Sequence, residues 1–206
     1  MGAIKSLIML IFFIIVLNVA LNKNGKYLKK DIRWQHYLFG CFFILYLMIA
    51  LEEVGFPTLF EWRILLKSNQ PIFNPHINVI PFNNGLEITD VLNILLFMPF
   101  GFLLPTLWEK YRNLKPTLYY GLFFSFTIEV SQLFVRNRET DINDLIMNVV
   151  GTICGWIIFN IMRKVFYKLA DKTVVHIDSN DTLFIKLEPY LYIVIAIICT
   201  FFIMVE

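Results

Sequence analysis

The chain has 206 residues, 58% of them hydrophobic, 17% aromatic and 17% charged, with a net charge of +2 and a mean hydropathy of +0.65. Soluble domains of this length do not carry so much apolar surface, so the composition excludes one and implies an all-α, polytopic integral membrane helix bundle. At about 20 apolar residues per crossing of a ~30 Å hydrocarbon core, about six spans fit and no second large soluble domain does.

Residues 3–21 form the first predicted span. Lys23, Lys26, Lys29, Lys30 and Arg33 follow it, the reverse of the charge order of a cleaved signal peptide, so it reads as a retained helix. The second span is 34–51, with Trp34 and Tyr37 suited to the interface. The connection 52–88 carries Pro57, Pro71, Pro75 and Pro81 among Phe56, Phe60, Trp62, Phe73 and Phe82. Its prolines forbid one continuous helix, and its aromatic residues place it on the bilayer surface or folded back over the helices. Residues 89–107 form the third span, which Pro99 and Gly101 are expected to bend. The fourth and fifth, 117–135 and 142–162, are joined by RNRETD, short enough to make them antiparallel neighbours. The segment 163–188 is polar and basic, and TVVHIDSNDTLFI within it alternates around a Ser-Asn-Asp turn as a short hairpin would. Residues 189–205 form the sixth span. Cys41, Cys154 and Cys199 fall in separate apolar runs without metal-ligand spacing and read as small apolar side chains. No internal repeat is evident, and 1–206 reads as one membrane domain.

Thirteen of the eighteen Lys and Arg residues follow spans one, three and five, which places those loops in the cytoplasm and both termini outside. Ten of the sixteen acidic residues fall on the outer side, among them Asp90, Glu129, Asp141 and Asp144. The basic residues are thereby explained by topology, and nucleic-acid binding is not expected.

The costly residues lie in the spans themselves. A charged group at a bilayer centre costs roughly 2.5–3.5 kcal/mol or more, so a cluster needs a reason. At 100° per residue, Ser125, Glu129, Gln132 and Arg136 form one helical stripe. Asp141, Asp144 and Asn148, continuing to Gly151 and Gly155, form a second, and Asp90, Asn93, Phe97 and Gly101 a third. Counting ~1.5 Å per residue puts Glu129, Asn148 and Asn93 roughly 6–10 Å below the outer surface, ringed by Asp90, Asp141, Asp144, Arg136 and Arg138. Three polar faces at one depth imply a shared pocket opening outward.

Each residue also has a plainer role. Asp90 and Asp141 sit where a helix N-cap belongs, and Asp144 suits the first turn of its helix. Asn93, Gln132 and Asn148 could be interhelical hydrogen-bond glue, and Gly151 with Gly155 forms a GxxxG, which serves packing within or between chains equally. Glu129 could pair with Arg136 or Arg138.

With these residues assembled, the stretch from Asn78 to Trp156 resembles the VanZ-like family of membrane proteins, named for a component of glycopeptide-resistance gene clusters associated with teicoplanin resistance. The resemblance is carried by NVIPF (Asn78 to Phe82), NILLFMPFG (Asn93 to Gly101), IEVSQ (Ile128 to Gln132) and RETDINDLIMNVVG (Arg138 to Gly151). It implies a multi-pass protein of the bacterial plasma membrane with a part in tolerance to envelope-directed antibiotics. It also implies that Asn78, Pro81, Phe82, Asn93, Pro99, Gly101, Glu129, Gln132, Arg138, Asp141, Asp144, Asn148 and Gly151 are the residues that matter. No cofactor is implied.

Four functions compete. The first is a pocket that engages membrane lipids, a lipid-linked wall precursor or a lipoglycopeptide antibiotic. The second is a membrane-embedded enzyme in which Glu129 acts as general base, or joins Asp141 and Asp144 on a divalent metal, while Arg138 neutralises a phosphate. Against it, no HExxH, GxSxG or Ser/His pair is present, and His36, His76 and His176 lie outside the cluster. The third, a small transporter, lacks an inverted repeat and a midplane site. In the fourth, the polar residues only hold the helices together. Oligomeric state is left open.

Overall fold

The computed structural model describes residues 33–73, 75–83, 85–136, 138–177 and 183–203, so the span expected at 3–21 lies outside the described residues. In chain order the elements are α1 (Trp34–Glu53), α2 (Leu59–Lys67), β1 (Ile77–Asn78), α3 (Ile88–Leu107), a 3-10 turn (Glu109–Arg112), α4 (Leu114–Gln132), β2 (Thr140–Asp141), α5 (Ile142–Val165), α6 (Tyr167–Thr173) and α7 (Leu183–Ile203). Among the described residues, α1, α3, α5 and α7 are long and apolar enough to cross a membrane. Helix α4 has the length but carries Glu129, Ser131 and Gln132 in its last turn. Those side chains and Ser125 are buried, whereas Leu122, Phe123, Phe126 and Val130 point outward. The helix is therefore polar toward the protein and apolar away from it, the pattern a lipid-facing helix requires.

The long helices alternate in direction. The starts of α1 and α7 meet the end of α3 through His36, Glu188 and Trp108, which lie at one end of the bundle. At the other end the starts of α3 and α5 meet through Asn93 and Asp144. Helix α2 caps this second end, its Trp62 ring packing 5.0 Å from Phe201 and 6.4 Å from Phe134. Thr58 and Glu61 start α2 by exchanging hydrogen bonds in a capping box, and Pro57 and Pro71 bracket it, so the proline-rich connection holds a helix between its breaks.

Between apolar helices in lipid, association rests on close packing rather than on the hydrophobic effect. Pairing is most extensive between α3 and α5. A Cβ added to Gly151 would run into the Ile94 carbonyl, one on Gly155 into the Met98 carbonyl, and one on Gly101 into the Thr152 carbonyl. The GxxxG thus serves a contact within the chain. Behind α3, Phe97, Phe100 and Phe124 pack as rings, with Phe100 and Phe124 stacked at 5.0 Å and Tyr120 stacked on Phe100 at 5.6 Å. Phe43 of α1 and Tyr192 of α7 extend this aromatic core. Pro99 and Pro105 sit inside α3, and Pro99 deprives the Leu95 carbonyl of its helical donor.

Three expectations are corrected. Helix α4 stops at Gln132, not 135, because Phe134 and Val135 turn tightly back onto the carbonyls of Ser131 and Gln132 while Trp62 Nε1 donates to the Phe134 carbonyl at 3.2 Å. The hairpin in TVVHIDSNDTLFI does not form, since Leu183 and Ile185 are already helical in α7. Val175 pairs instead with the end of α3, donating to the Leu107 carbonyl at 2.8 Å and accepting from Glu109 N at 3.1 Å. The last long helix therefore begins at Leu183, not 189, with Pro189 tolerated within its second turn.

Overpacking a close contact costs about 1–3 kcal/mol. Gly155→Val is expected to lower the thermal stability of the detergent-solubilised protein by an amount in that range, because the opposing Met98 atom is backbone and cannot swing aside.

Candidate functional site

The end of the bundle capped by α2 is held together by polar groups from four segments. Ile77–Asn78 and Thr140–Asp141 pair as a two-residue parallel ladder, with Thr140 N donating to the His76 carbonyl at 2.8 Å. Asp141 is the N-cap of α5, accepting from Asn143 N at 2.9 Å, and its other carboxylate oxygen accepts from Asn78 Nδ2 at 3.2 Å. Asn143 Oδ1 accepts from Phe82 N at 2.8 Å, so NVIPF is fastened to the start of α5. Phe82 holds a left-handed backbone there, φ 55°. The segment expected to fold over the helices does so through these bonds.

Below the ladder, Glu129 Oε2 accepts from Asp141 N at 3.0 Å and the Glu129 carbonyl accepts from Thr140 Oγ1 at 3.0 Å. Gln132, with its amide nitrogen toward Glu129, donates to Glu129 Oε2 at 3.2 Å and to the Glu139 carbonyl at 2.9 Å. Asn93 Nδ2 donates to Asp144 Oδ1 at 2.7 Å, joining α3 to α5. Asn148 Nδ2 donates to Ser125 Oγ at 3.0 Å, joining α5 to α4.

Beside these bonds lies an open cavity of about 510 Å³, within the ~300–1,000 Å³ usual for small-molecule sites. Its walls hold Asn93, Glu129, Gln132, Arg138, Asp144 and Asn148, together with Glu53 and Val54 from the end of α1 and Leu92, Leu95 and Leu96 from α3. Glu129 and Asn148 are only 3% and 1% exposed, and Glu129 Oε1 and Asn148 Oδ1 accept no hydrogen bond from the described residues. Leaving a buried polar group unpaired costs about 1–3 kcal/mol, more for a charged one, so two such acceptors on one cavity are a standing demand for a donor. Arg138 borders the same space, exposed, and is bonded to none of the described residues. It lies against Gly55, where a Cβ would come within 2.5 Å of the guanidinium and where φ is +70°. The positive φ is what requires glycine there, since the exposed guanidinium can swing aside.

Six of the ten residues expected in the pocket thus line one cavity, and four do not. Arg136 lies beyond the end of α4, donates to Gln70 Oε1 at 2.5 Å and borders a separate hollow beside Glu61 and Leu65. Asp90 is buried but turned to the start of α3, where it accepts from Glu87 N at 2.8 Å as the third helical residue of a capping box, with Glu87 rather than Asp90 as the N-cap. Asn78 and Asp141 belong to the ladder above the cavity. Among the described residues no three His, Cys, Asp or Glu side chains gather as a metal-binding group, and Asp141 spends both oxygens on the ladder and its own helix, away from Glu129 and Asp144. Of the histidines, His76 contributes its backbone carbonyl to the ladder, His36 is buried at the opposite end, and His176 pairs with Glu109. The sequence reading missed Glu53 and Val54, which follow a span rather than lying in a polar stripe; Glu52–Glu53 at the end of an apolar run was the available signal.

Apolar outer faces, four membrane-length helices and a polar cavity at one end define a helical membrane protein with its polar side chains turned inward. The chain belongs to the VanZ/LLP1 family, whose model matches residues 43–163 and so takes in all the cavity-lining residues. No curated protein and no solved structure matches it.

The α3–α5 bond is open to direct measurement. A double-mutant cycle of Asn93→Ala and Asp144→Ala, read from thermal unfolding in detergent, is expected to give a coupling of about 1 kcal/mol, within the range for polar pairs between membrane helices.

Proposed function

We propose that this chain is a multi-pass protein of the bacterial plasma membrane whose cavity opens outward and engages a cell-envelope lipid, a lipid-linked wall precursor or a lipoglycopeptide antibiotic, contributing to antibiotic tolerance. The observation that carries this reading is the 510 Å³ cavity with two buried acceptors left unbonded by the described residues. The two acceptors belong to residues of α4 and α5 that line the same cavity, so one ligand could serve both. The outward orientation is supported by charge, because Lys110, Arg112, Lys115, Arg163, Lys164, Lys168 and Lys172 all lie at or beyond the helix ends opposite the cavity. Helix α4, with its apolar outer face, would make a fifth crossing, and residues 3–21 a sixth, leaving both termini outside.

In bacteria expressing the chain, we expect Glu129→Ala and Asp144→Ala each to erase the gain in the inhibitory concentration of teicoplanin, while the amount of protein in the membrane stays level. A gain that survives both substitutions, or falls only in step with protein level, overturns the reading. Orientation has its own measurement. With the native cysteines replaced, Lys67→Cys should react with a membrane-impermeant thiol reagent in intact cells and Lys168→Cys only after the cells are opened.

A further inference from the structure

Resting on the reading of the cavity as a ligand site, its chemistry narrows the ligand class. The polar groups on its wall are ordered by depth. Glu129 and Asn148, almost wholly buried, each present an oxygen that accepts from none of the described residues, while Arg138, exposed, presents guanidinium N–H groups that bond none of them. A ligand matching both ends carries an anionic group for Arg138 and a hydrogen-bond donor for the interior. Charge decides which donor. Among the described residues Glu53, Glu129 and Asp144 line the cavity against the single guanidinium of Arg138, and an amine facing these acids brings hydrogen-bond donors and positive charge together, which a hydroxyl does not.

The wall also shows where an apolar part would go. Leu95, one side of the polar cavity, is at the same time one side of an apolar groove of about 480 Å³ formed by Met98, Pro99, Phe102 and Leu103 of α3 and Ile158 of α5. Leu92 and Leu95 are more than half exposed on this outward face, so the cavity and the groove adjoin along the surface that would meet lipid chains.

We propose that the cavity takes a phospholipid with a primary amine on a short arm beyond its phosphodiester, the phosphate on Arg138, the amine on Glu129 and Asn148, and one acyl chain along the α3–α5 groove. The molecule enters sideways from the bilayer. A plain phosphate monoester lacks the donor, and an anionic headgroup without an amine places no positive charge against the three carboxylates.

The test titrates the folded, detergent-solubilised full chain with four probes, read by native mass spectrometry: phosphatidylethanolamine, its N-acetylated derivative, phosphatidylglycerol and water-soluble glycerophosphoethanolamine. Phosphatidylethanolamine is expected to bind at least tenfold tighter than either lipid lacking the amine. Asn148→Leu should reduce that ratio to near one, and Arg138→Gln should weaken phosphatidylethanolamine and glycerophosphoethanolamine alike. Leu103→Trp, which fills the groove, should cost the lipid more than tenfold and bring its affinity down toward that of glycerophosphoethanolamine. Equal affinity for phosphatidylethanolamine and its N-acetylated form overturns the amine assignment while the cavity remains a ligand site. Full lipid affinity in Leu103→Trp overturns the placement of the chain. Binding of none of the four probes by wild-type protein with an intact melting transition overturns this proposal; if Glu129→Ala also leaves teicoplanin tolerance intact, the reading of the cavity falls with it.

Discussion

With Gly101, Gly151 and Gly155 at their crossing, the α3 and α5 backbones approach so closely that a Cβ on any of the three would overlap a carbonyl of the facing helix. In water such a contact would be one contribution among many, but between lipid-facing helices there is little else to hold two apolar cylinders together. The close approach fixes more than stability. One to two turns away from it, Asn93 and Asp144 come within 2.7 Å, and a third helix, α4, leans on α5 through Ser125 and Asn148. The cavity lies among these three helices and the end of α1.

Each end of the bundle buries one acid deeply, and the two acids differ in how they are held, although Gln35, Tyr37 and Arg112 at the end away from the cavity also carry a polar atom unbonded by the described residues. At the end away from the cavity, His36 and Glu188 are 1% and 0% exposed and Glu188 accepts from Trp108 Nε1 at 3.0 Å as well as facing His36 Nε2 at 3.0 Å. His36 Nδ1 donates to the Thr173 carbonyl at 2.9 Å. This group is closed, with both carboxylate oxygens engaged, and it ties α1, α3, α6 and α7 together. A buried pair of this kind fixes which helices meet more than it adds stability. At the cavity end the carboxylate of Glu129 is held by one oxygen only. Glu188 has both oxygens engaged and borders no cavity described above, whereas Glu129 keeps one oxygen unbonded by the described residues on the wall of a cavity.

Much of this was legible in the sequence where periodicity and depth could be counted. The helical stripes bring Asn93, Glu129, Gln132, Asp144 and Asn148 to one cavity because 100° per residue holds along an unbroken helix. Arg136 shows where the counting stops. It extends the α4 stripe only if the helix continues past Gln132, and the chain turns there because α2 presents Trp62 to the Phe134 carbonyl, a contact between segments 72 residues apart. Asp90 likewise reads as a pocket carboxylate until Glu87 N claims it. The His36–Glu188 pair was not legible, since its members are 152 residues apart, His36 at the start of the second predicted span and Glu188 at the end of the polar segment 163–188. Local rules find faces and ends; they do not find which distant group a face meets.

Helix α4 bonds both the ladder and α5. It is the least apolar of the five long helices, yet its outward residues Leu122, Phe123, Phe126 and Val130 are as apolar as those of its neighbours. Toward its cavity end its buried polar side chains are Ser125, Glu129, Ser131 and Gln132. A helix built only to span and pack has no need of these side chains, because leucine in their place would remove a cost of roughly 2.5–3.5 kcal/mol for the carboxylate alone if it lay at mid-bilayer depth. Ser125 bonds Asn148, Gln132 supports Glu129 and Ser131 turns its hydroxyl back to the Ile128 carbonyl at 2.6 Å, so three of the four are accounted for by what they hold. The fourth, Glu129, keeps Oε1 unbonded among the described residues. The supporting bonds around it fix the carboxylate with that oxygen unbonded, at the buried end of a cavity whose other end carries Arg138. Such an arrangement is costly to keep and stable only because the ladder, the glycine crossing and α2 together leave the side chain no alternative.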